Sequence, residues 1–230
     1  MVDSAVGGKT GIDRPHGKNL VGAFHQPSLV LADPEALDTL PPRELRAGLA
    51  EVVKAAWIEG ESDVAALERD AEALVAGGDE GRAARTRAIR RAIRTKARIV
   101  AADEGERGLR RALNLGHTLG HAVEAASGYA LVHGEAVAIG LVAALRLSVE
   151  LGRAEHAHLE RLRSLLERLG LSTGWPSYTG AQLRGFLAVD KKAVGGAVRL
   201  VTAGAPGDVG GGLAIDREQV LSSVDGWCGG

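Results

Sequence analysis

The apolar residues of the chain change their rhythm at Asp33-Pro34. Residues 1–34 set short apolar pieces, such as Leu20-Val21-Gly22-Ala23-Phe24 and Leu29-Val30-Leu31, among Gly and Pro turns, which predicts loops and short strands. Beyond Pro34, apolar positions recur three and four apart over 44–58, 63–75, 82–102, 110–126, 136–151 and 156–169, mostly with Gly between the runs. That spacing gives each run one core-facing side and predicts helices. One strand is expected at 198–202, then a Gly-rich turn region, then a short helix after Asp216. The expected fold class is mainly α: a multihelical unit over 35–230, preceded by a loop and short-strand segment over 1–34. No repeat of solenoid length and no coiled-coil pattern is present.

Charge alters this picture little. The 28 Lys and Arg nearly cancel the 29 Asp and Glu, so no global field draws in nucleic acid or an anionic membrane, and any anion site must be local. The run at 82–98 is locally basic, with eight Arg and Lys including Arg91, Arg94 and Lys96. It could grip phosphates, but it has no stacking aromatics and acidic segments flank it, so a solvated amphipathic face is the reading preferred. The single cysteine, Cys228, can form no internal disulfide, which fits a reducing compartment. The longest apolar run, Ala136 to Leu145, falls far short of the ~20 residues of a membrane span. Met1-Val2-Asp3-Ser4 opens no signal peptide, and a cytoplasmic location is expected.

Candidate chemistry is densest at Arg110-Arg111-Ala112-Leu113-Asn114-Leu115-Gly116-His117-Thr118-Leu119-Gly120-His121, followed by Val132-His133-Gly134-Glu135. On a helix, Asn114, His117 and His121 share one face, and two imidazoles one turn apart can converge on a divalent ion. His133 is expected at the N-terminus of the next helix, where either a metal ligand or an exposed turn residue would fit. Glu51 lies in the apolar stripe of Leu49, Val52 and Val53, with Lys54 three residues on. A carboxylate there needs a partner, either Lys54 or a metal shared with the histidines. Two Gly- and Lys-bearing turns, Gly7-Gly8-Lys9-Thr10-Gly11 and Gly17-Lys18-Asn19, can cradle phosphate oxygens but lack the spacing of a P-loop. Asp190-Lys191-Lys192 is a further basic point.

Taken in order, VDSAVGGKTGID, GKNLVGAFHQP, LPPRELRAGLAEVVK, TKARIVAADEGERGLRRALNLGHTLGHAVE, LVHGEAVAIG and DKK resemble the 3-dehydroquinate synthase family over nearly the whole of residues 2–200. The resemblance implies that Glu51, His117 and His133 bind a catalytic Zn2+ (or Co2+), whereas His121 contacts the substrate phosphate. It implies substrate contacts for Lys54, Lys96, Arg110 and Asn114, with Arg110 forked onto a substrate carboxylate, and a phosphate contact for Lys191 or Lys192. Asp3, Lys9, Lys18 and Asn19 match a segment between NAD and substrate, and Leu37, Asp38 and Thr39 match a cofactor-contacting turn. The implied reaction cyclises 3-deoxy-arabino-heptulosonate 7-phosphate to 3-dehydroquinate. Related cyclases take sedoheptulose 7-phosphate or glucose 6-phosphate, which lack a carboxylate, and Arg110, Leu113 and Asn114 resemble the dehydroquinate-forming branch. Ala5, His25, Ala55-Ala56 and Leu119 depart from the family pattern at positions that are not ligands.

Family members begin with a dinucleotide-binding α/β domain. Residues 1–34 are expected to be its remnant, with the missing domain supplied in cis or in trans. The chain alone is then expected to keep metal affinity, to lack cyclase activity and to self-associate through uncovered apolar surface; a homodimer is the state the resemblance implies. The competing readings are a cofactor-free metal hydrolase on His117, His121 and Glu51, and a non-catalytic homologue. Retention of every proposed ligand weighs against the second.

Overall fold

The computed structural model describes residues 1–14, 17–188 and 196–228. Two short strands, β1 (Ile12–Arg14) and β2 (Gly17–Val21), pair antiparallel, with Ile12 opposite Val21. After a 3-10 turn at Pro34–Leu37 the chain turns helical: α1 (Pro42–Glu59), α2 (Glu61–Val75), α3 (Gly78–Ala102), α4 (His117–Ala126), α5 (His133–Glu150) and α6 (His156–Arg168). A smaller group closes the chain: α7 (Gly180–Ala188), then β3 (Ala197–Leu200) antiparallel to β4 (Leu213–Asp216), then α8 (Arg217–Trp227). The mainly α expectation holds, and no helix among the described residues is long and apolar enough to cross a membrane.

Three expectations need correction. The run at 110–126 is two elements: a 3-10 turn at Leu109–Asn114, then α4. Gly116 breaks it with φ +78, a left-handed conformation that Gly adopts without a Cβ penalty. Asn114 therefore does not share a helical face with His117 and His121. The Gly-rich end holds the strand β4, and α7 lies in a stretch for which no helix was expected.

α5 is buried on nearly every side, as its unbroken apolar composition requires. Val137, Leu141 and Leu145 face a core shared with α1, α2, α3 and α6, while Ile139, Ala143 and Leu147 face a second core against α4, α7, α8 and the β3–β4 pair. Two of its glycines permit backbone contact that any side chain would block. A Cβ on Gly134 would stand 1.9 Å from the Ala47 carbonyl oxygen, and one on Gly140 would stand 1.9 Å from that of Gly116. α1 and α4 thereby come close enough to α5 for their side chains to meet.

The basic face of α3 is neutralised by its neighbours. Arg82 pairs with Asp38, Arg87 with Asp70, Arg98 with Glu59, and Arg91 and Arg94 with the buried Asp63. Arg85 caps the end of α2 through the Ala76 carbonyl at 2.6 Å. Cations engaged in this way do not form a free nucleic-acid surface.

Gly140→Ala should lower stability by about 3 kcal/mol, the upper end of overpacking costs, because the added methyl meets backbone. Gly185→Ala on α7, where a Cβ meets nothing within 4 Å, should gain about 0.5–1 kcal/mol. Urea unfolding of both variants checks the contrast.

Candidate metal and substrate site

α4 opens at His117, and His121 follows one turn later, so both imidazoles leave the same face. His133 opens α5. The rings of His117 and His121 are 5.2 Å apart between centroids, and each lies 5.5 Å from the ring of His133. One nitrogen from each of the three falls within 4.8 Å of the others.

Glu51 comes to this cluster from the buried side of α1. Its Oε1 is 3.2 Å from His133 Nε2 and 3.5 Å from His117 Nε2, and its Oε2 is 2.6 Å from Lys54 Nζ. Burial pushes the Glu51 carboxyl up, but Lys54 and the hydrogen bonds with His117 and His133 outweigh it and hold the group well below the usual carboxylate range. Burial likewise pulls the Lys54 ammonium down, and Glu51 and Asp3 more than restore it. The His133 imidazole is raised by its bond to Glu51, against the opposing effect of burial.

The charges continue outward in alternation. Asp3 Oδ1 lies 3.7 Å from Lys54 and 2.9 Å from Lys96 of α3, and Lys96 also donates to the Asp3 carbonyl. Burial pushes the Asp3 carboxyl up, the two lysines pull it down, and the balance lies below its ordinary value. Burial lowers Lys96.

These residues suit a divalent cation. His117 Nδ1 lies 3.1 Å from the Leu115 carbonyl oxygen, an acceptor, so Nδ1 carries a proton and, in the neutral ring, Nε2 presents a lone pair. Nε2 and Glu51 Oε1 are then two lone-pair donors facing each other, which is unfavourable unless a proton or a cation lies between them. A carboxylate and neutral imidazoles around one point are the donor set of catalytic zinc.

The model of the 3-dehydroquinate synthase C-terminal family matches residues 48–193, and that of the 3-dehydroquinate synthase N-terminal family matches residues 1–47. The chain belongs to the 3-dehydroquinate synthase family. The 3-dehydroquinate synthase of Acidithiobacillus ferrooxidans is 50% identical over 202 residues, covering 87% of this chain and 55% of that protein. That of Rhodospirillum rubrum is 52% identical over 211 residues, covering 88% and 54%. The chain thus spans little more than half the length of these curated relatives. Among solved structures, 2-epi-5-epi-valiolone synthase from Streptomyces hygroscopicus, with NAD+ and Zn2+ bound, superimposes with a TM-score of 0.78 at 30% identity, covering 97% of this chain and 62% of that one. A 2-deoxy-scyllo-inosose synthase complexed with carbaglucose-6-phosphate, NAD+ and Co2+ shares the fold, with a TM-score of 0.85 at 22% identity, covering 98% and 63%.

The remaining positions that the 3-dehydroquinate synthase resemblance singled out are spread over several places. Lys54, Lys96 and Asp3 join the charge chain behind Glu51. Lys9 and Asn114 meet at Glu106: Asn114 Nδ2 donates to its Oε1 at 2.7 Å, and Lys9 pairs with its Oε2. Sequence reasoning missed Glu106, whose only signal was an acidic residue in a charged loop. Arg110 is buried, and its fork goes to the carbonyls of Gly7 at 2.6 Å and Glu104 at 2.7 Å, clamping the N-terminal segment to the loop after α3. Leu37, Asp38 and Thr39 lie at the 3-10 turn before α1, where Asp38 is held by Arg82. Lys18 and Asn19 lie on β2. Lys191 and Lys192 lie outside the described residues.

Lys54→Met leaves Glu51 without its buried counter-ion and should lower the stability of the metal-free chain by about 3–5 kcal/mol. Adding Glu51→Gln should recover most of that loss. Urea unfolding with chelator present decides it; a double variant as weak as the single one would show that the unpaired charge is not the source. Asp3, whose folded value lies below the ordinary 3.8, contributes stability above that pH and loses it as pH falls through the lower folded value. Hydrogen exchange of residues 1–10 should therefore quicken only below about pH 3.8, whereas Asp3→Asn should show the fast exchange at neutral pH.

Proposed function

We propose that this chain carries the metal- and substrate-binding part of a 3-dehydroquinate synthase, a lyase that cyclises 3-deoxy-arabino-heptulosonate 7-phosphate to 3-dehydroquinate with loss of phosphate. The observation that carries the reading is the meeting of Glu51, His117 and His133 around one point, with Lys54, Lys96 and His121 beside it, in a chain about 50% identical to named synthases.

Glu51, His117 and His133 would hold the zinc, and His121 would contact the substrate phosphate. When bound, zinc supplies a Lewis acid for a substrate hydroxyl and NAD supplies the hydride acceptor. Lys54 and Lys96 place positive charge beside that point, where they neutralise anionic groups of the substrate. Glu106 holds Lys9 and Asn114 in place. Asp3, Lys9, Lys18, Asn19 and the turn at Leu37, Asp38 and Thr39 would face NAD, with the rest of its site coming from the part of the relatives that this chain does not match. Phe24, Leu29 and Leu31 are more than two-thirds exposed, an apolar surface suited to being covered by that part or by a second copy in a homodimer.

One observation favours a second reading. The Arg110 fork goes to two backbone carbonyls, so its fit to a substrate carboxylate is not evident. A cyclase for sedoheptulose 7-phosphate needs no such fork. Turnover of the two sugar phosphates, with the unmatched portion of a relative supplied in trans, separates the two readings.

The metal reading is tested on the chain itself. After chelator treatment it should take up one Zn2+ or Co2+, and His117→Ala, His133→Ala and Glu51→Gln should each weaken uptake by at least ~100-fold, as expected for loss of a ligand. His121→Ala should bind nearly as tightly as the parent. Strong loss with His121→Ala and none with Glu51→Gln would replace the proposed ligand set with the three histidines.

A further inference from the structure

His133 enters the cluster on a backbone that is already fixed. Arg43 of α1 forks onto Glu135 at 2.7 Å through both carboxylate oxygens and reaches the Ala130 carbonyl at 3.1 Å, while Glu135 Oε2 accepts from the Val132 amide at 3.1 Å. This clamp holds the turn before α5 but leaves the imidazole free to rotate about its own two torsions. On one edge, Nε2 faces Glu51 Oε1 at 3.2 Å. On the other, Nδ1 faces Glu124 Oε2 at 3.6 Å. Glu124 belongs to α4, three residues after His121 and seven after His117, so it lies on the face that carries both histidines. It is only 4% exposed, so its carboxylate meets the His133 ring with little water around it.

We infer that Glu124 is a positioning residue for the metal centre: it takes the Nδ1 proton of His133 and so directs the Nε2 lone pair toward Glu51 and the cation. It does for His133 what the Leu115 carbonyl does for His117, whose Nδ1 is held at 3.1 Å. Each imidazole then has an oxygen acceptor behind it and its Nε2 turned to the same carboxylate oxygen. The charge of Glu124 also makes the His133 ring a stronger donor than a neutral acceptor would. This inference rests on the metal reading proposed above.

The test uses the full chain and Zn2+ or Co2+ alone, with affinity read by competition against a chromophoric chelator and folding checked by circular dichroism. Glu124→Ala should weaken binding by about 10–100-fold, and Glu124→Gln, which keeps an oxygen acceptor but not the charge, by less. Binding within twofold of the parent in both variants would overturn the role of Glu124 while leaving the metal reading intact. A parent chain that takes up no metal would sink the metal reading and this inference with it. An arm independent of variant folding is the nitrogen spectrum of the zinc-loaded parent: His133 should show a protonated Nδ1 and a zinc-bound Nε2, and the reverse assignment would overturn the proposal.

Discussion

A carboxylate set in the apolar middle of α1 must be neutralised, and the geometry of the site follows from how this is done. Glu51 gives one oxygen to Lys54 and turns the other to two imidazoles. Each partner comes from a different part of the fold or is itself anchored to one: Lys54 leans on Asp3 of the N-terminal segment, Asp3 on Lys96 of α3, and the imidazoles belong to α4 and α5. Charges of alternating sign in a poorly solvated setting stabilise one another and leave a costly remainder when any member is lost. The requirement to neutralise one buried anion thus ties the N-terminal segment, α3, α4 and α5 to α1.

That tie would be loose without the packing behind it. α5 is the wall between the two larger cores, and its first residue is His133. Close backbone contact at Gly134 against Ala47, and at Gly140 against Gly116, sets where α5 stands relative to α1 and to the start of α4. Interiors at this density transmit displacements rather than absorb them. A change at Gly140, two turns from His133, is therefore also a change in the cluster of Glu51 and the histidines.

Most of the helices were legible because their apolar stripes are regular, and much of the centre was legible because its members break that regularity. Glu51 stood out as a charge inside a stripe, His117 and His121 as a one-turn pair, and His133 as the start of a very apolar run. The break at Gly116 was not legible, since a 3-10 turn followed by a helix keeps nearly the spacing of one helix. Glu124 was invisible for a different reason: on α4 alone it reads as an ordinary polar position, and only the folded chain brings His133 of α5 against it. Glu106 and the Arg110 clamp depend on contacts across roughly a hundred residues, from Lys9 and Gly7 to the loop after α3, which no local pattern encodes.

Those long contacts give the N-terminal segment its character. It is tied to the helices through polar groups: the Asp3 carboxylate, the Gly7 carbonyl and the Lys9 ammonium. Among the described residues, Ile12, Val21, Phe24, Leu29 and Leu31 face outward. An ordinary surface segment does the opposite, burying its apolar groups and solvating its polar ones. The N-terminal segment thus turns its charges to the helices and its apolar residues outward. Because the inward ties are ionic and the outward face is apolar, the two sides respond to different conditions. Acid weakens the first through Asp3, whereas covering the second releases water without touching the charge chain.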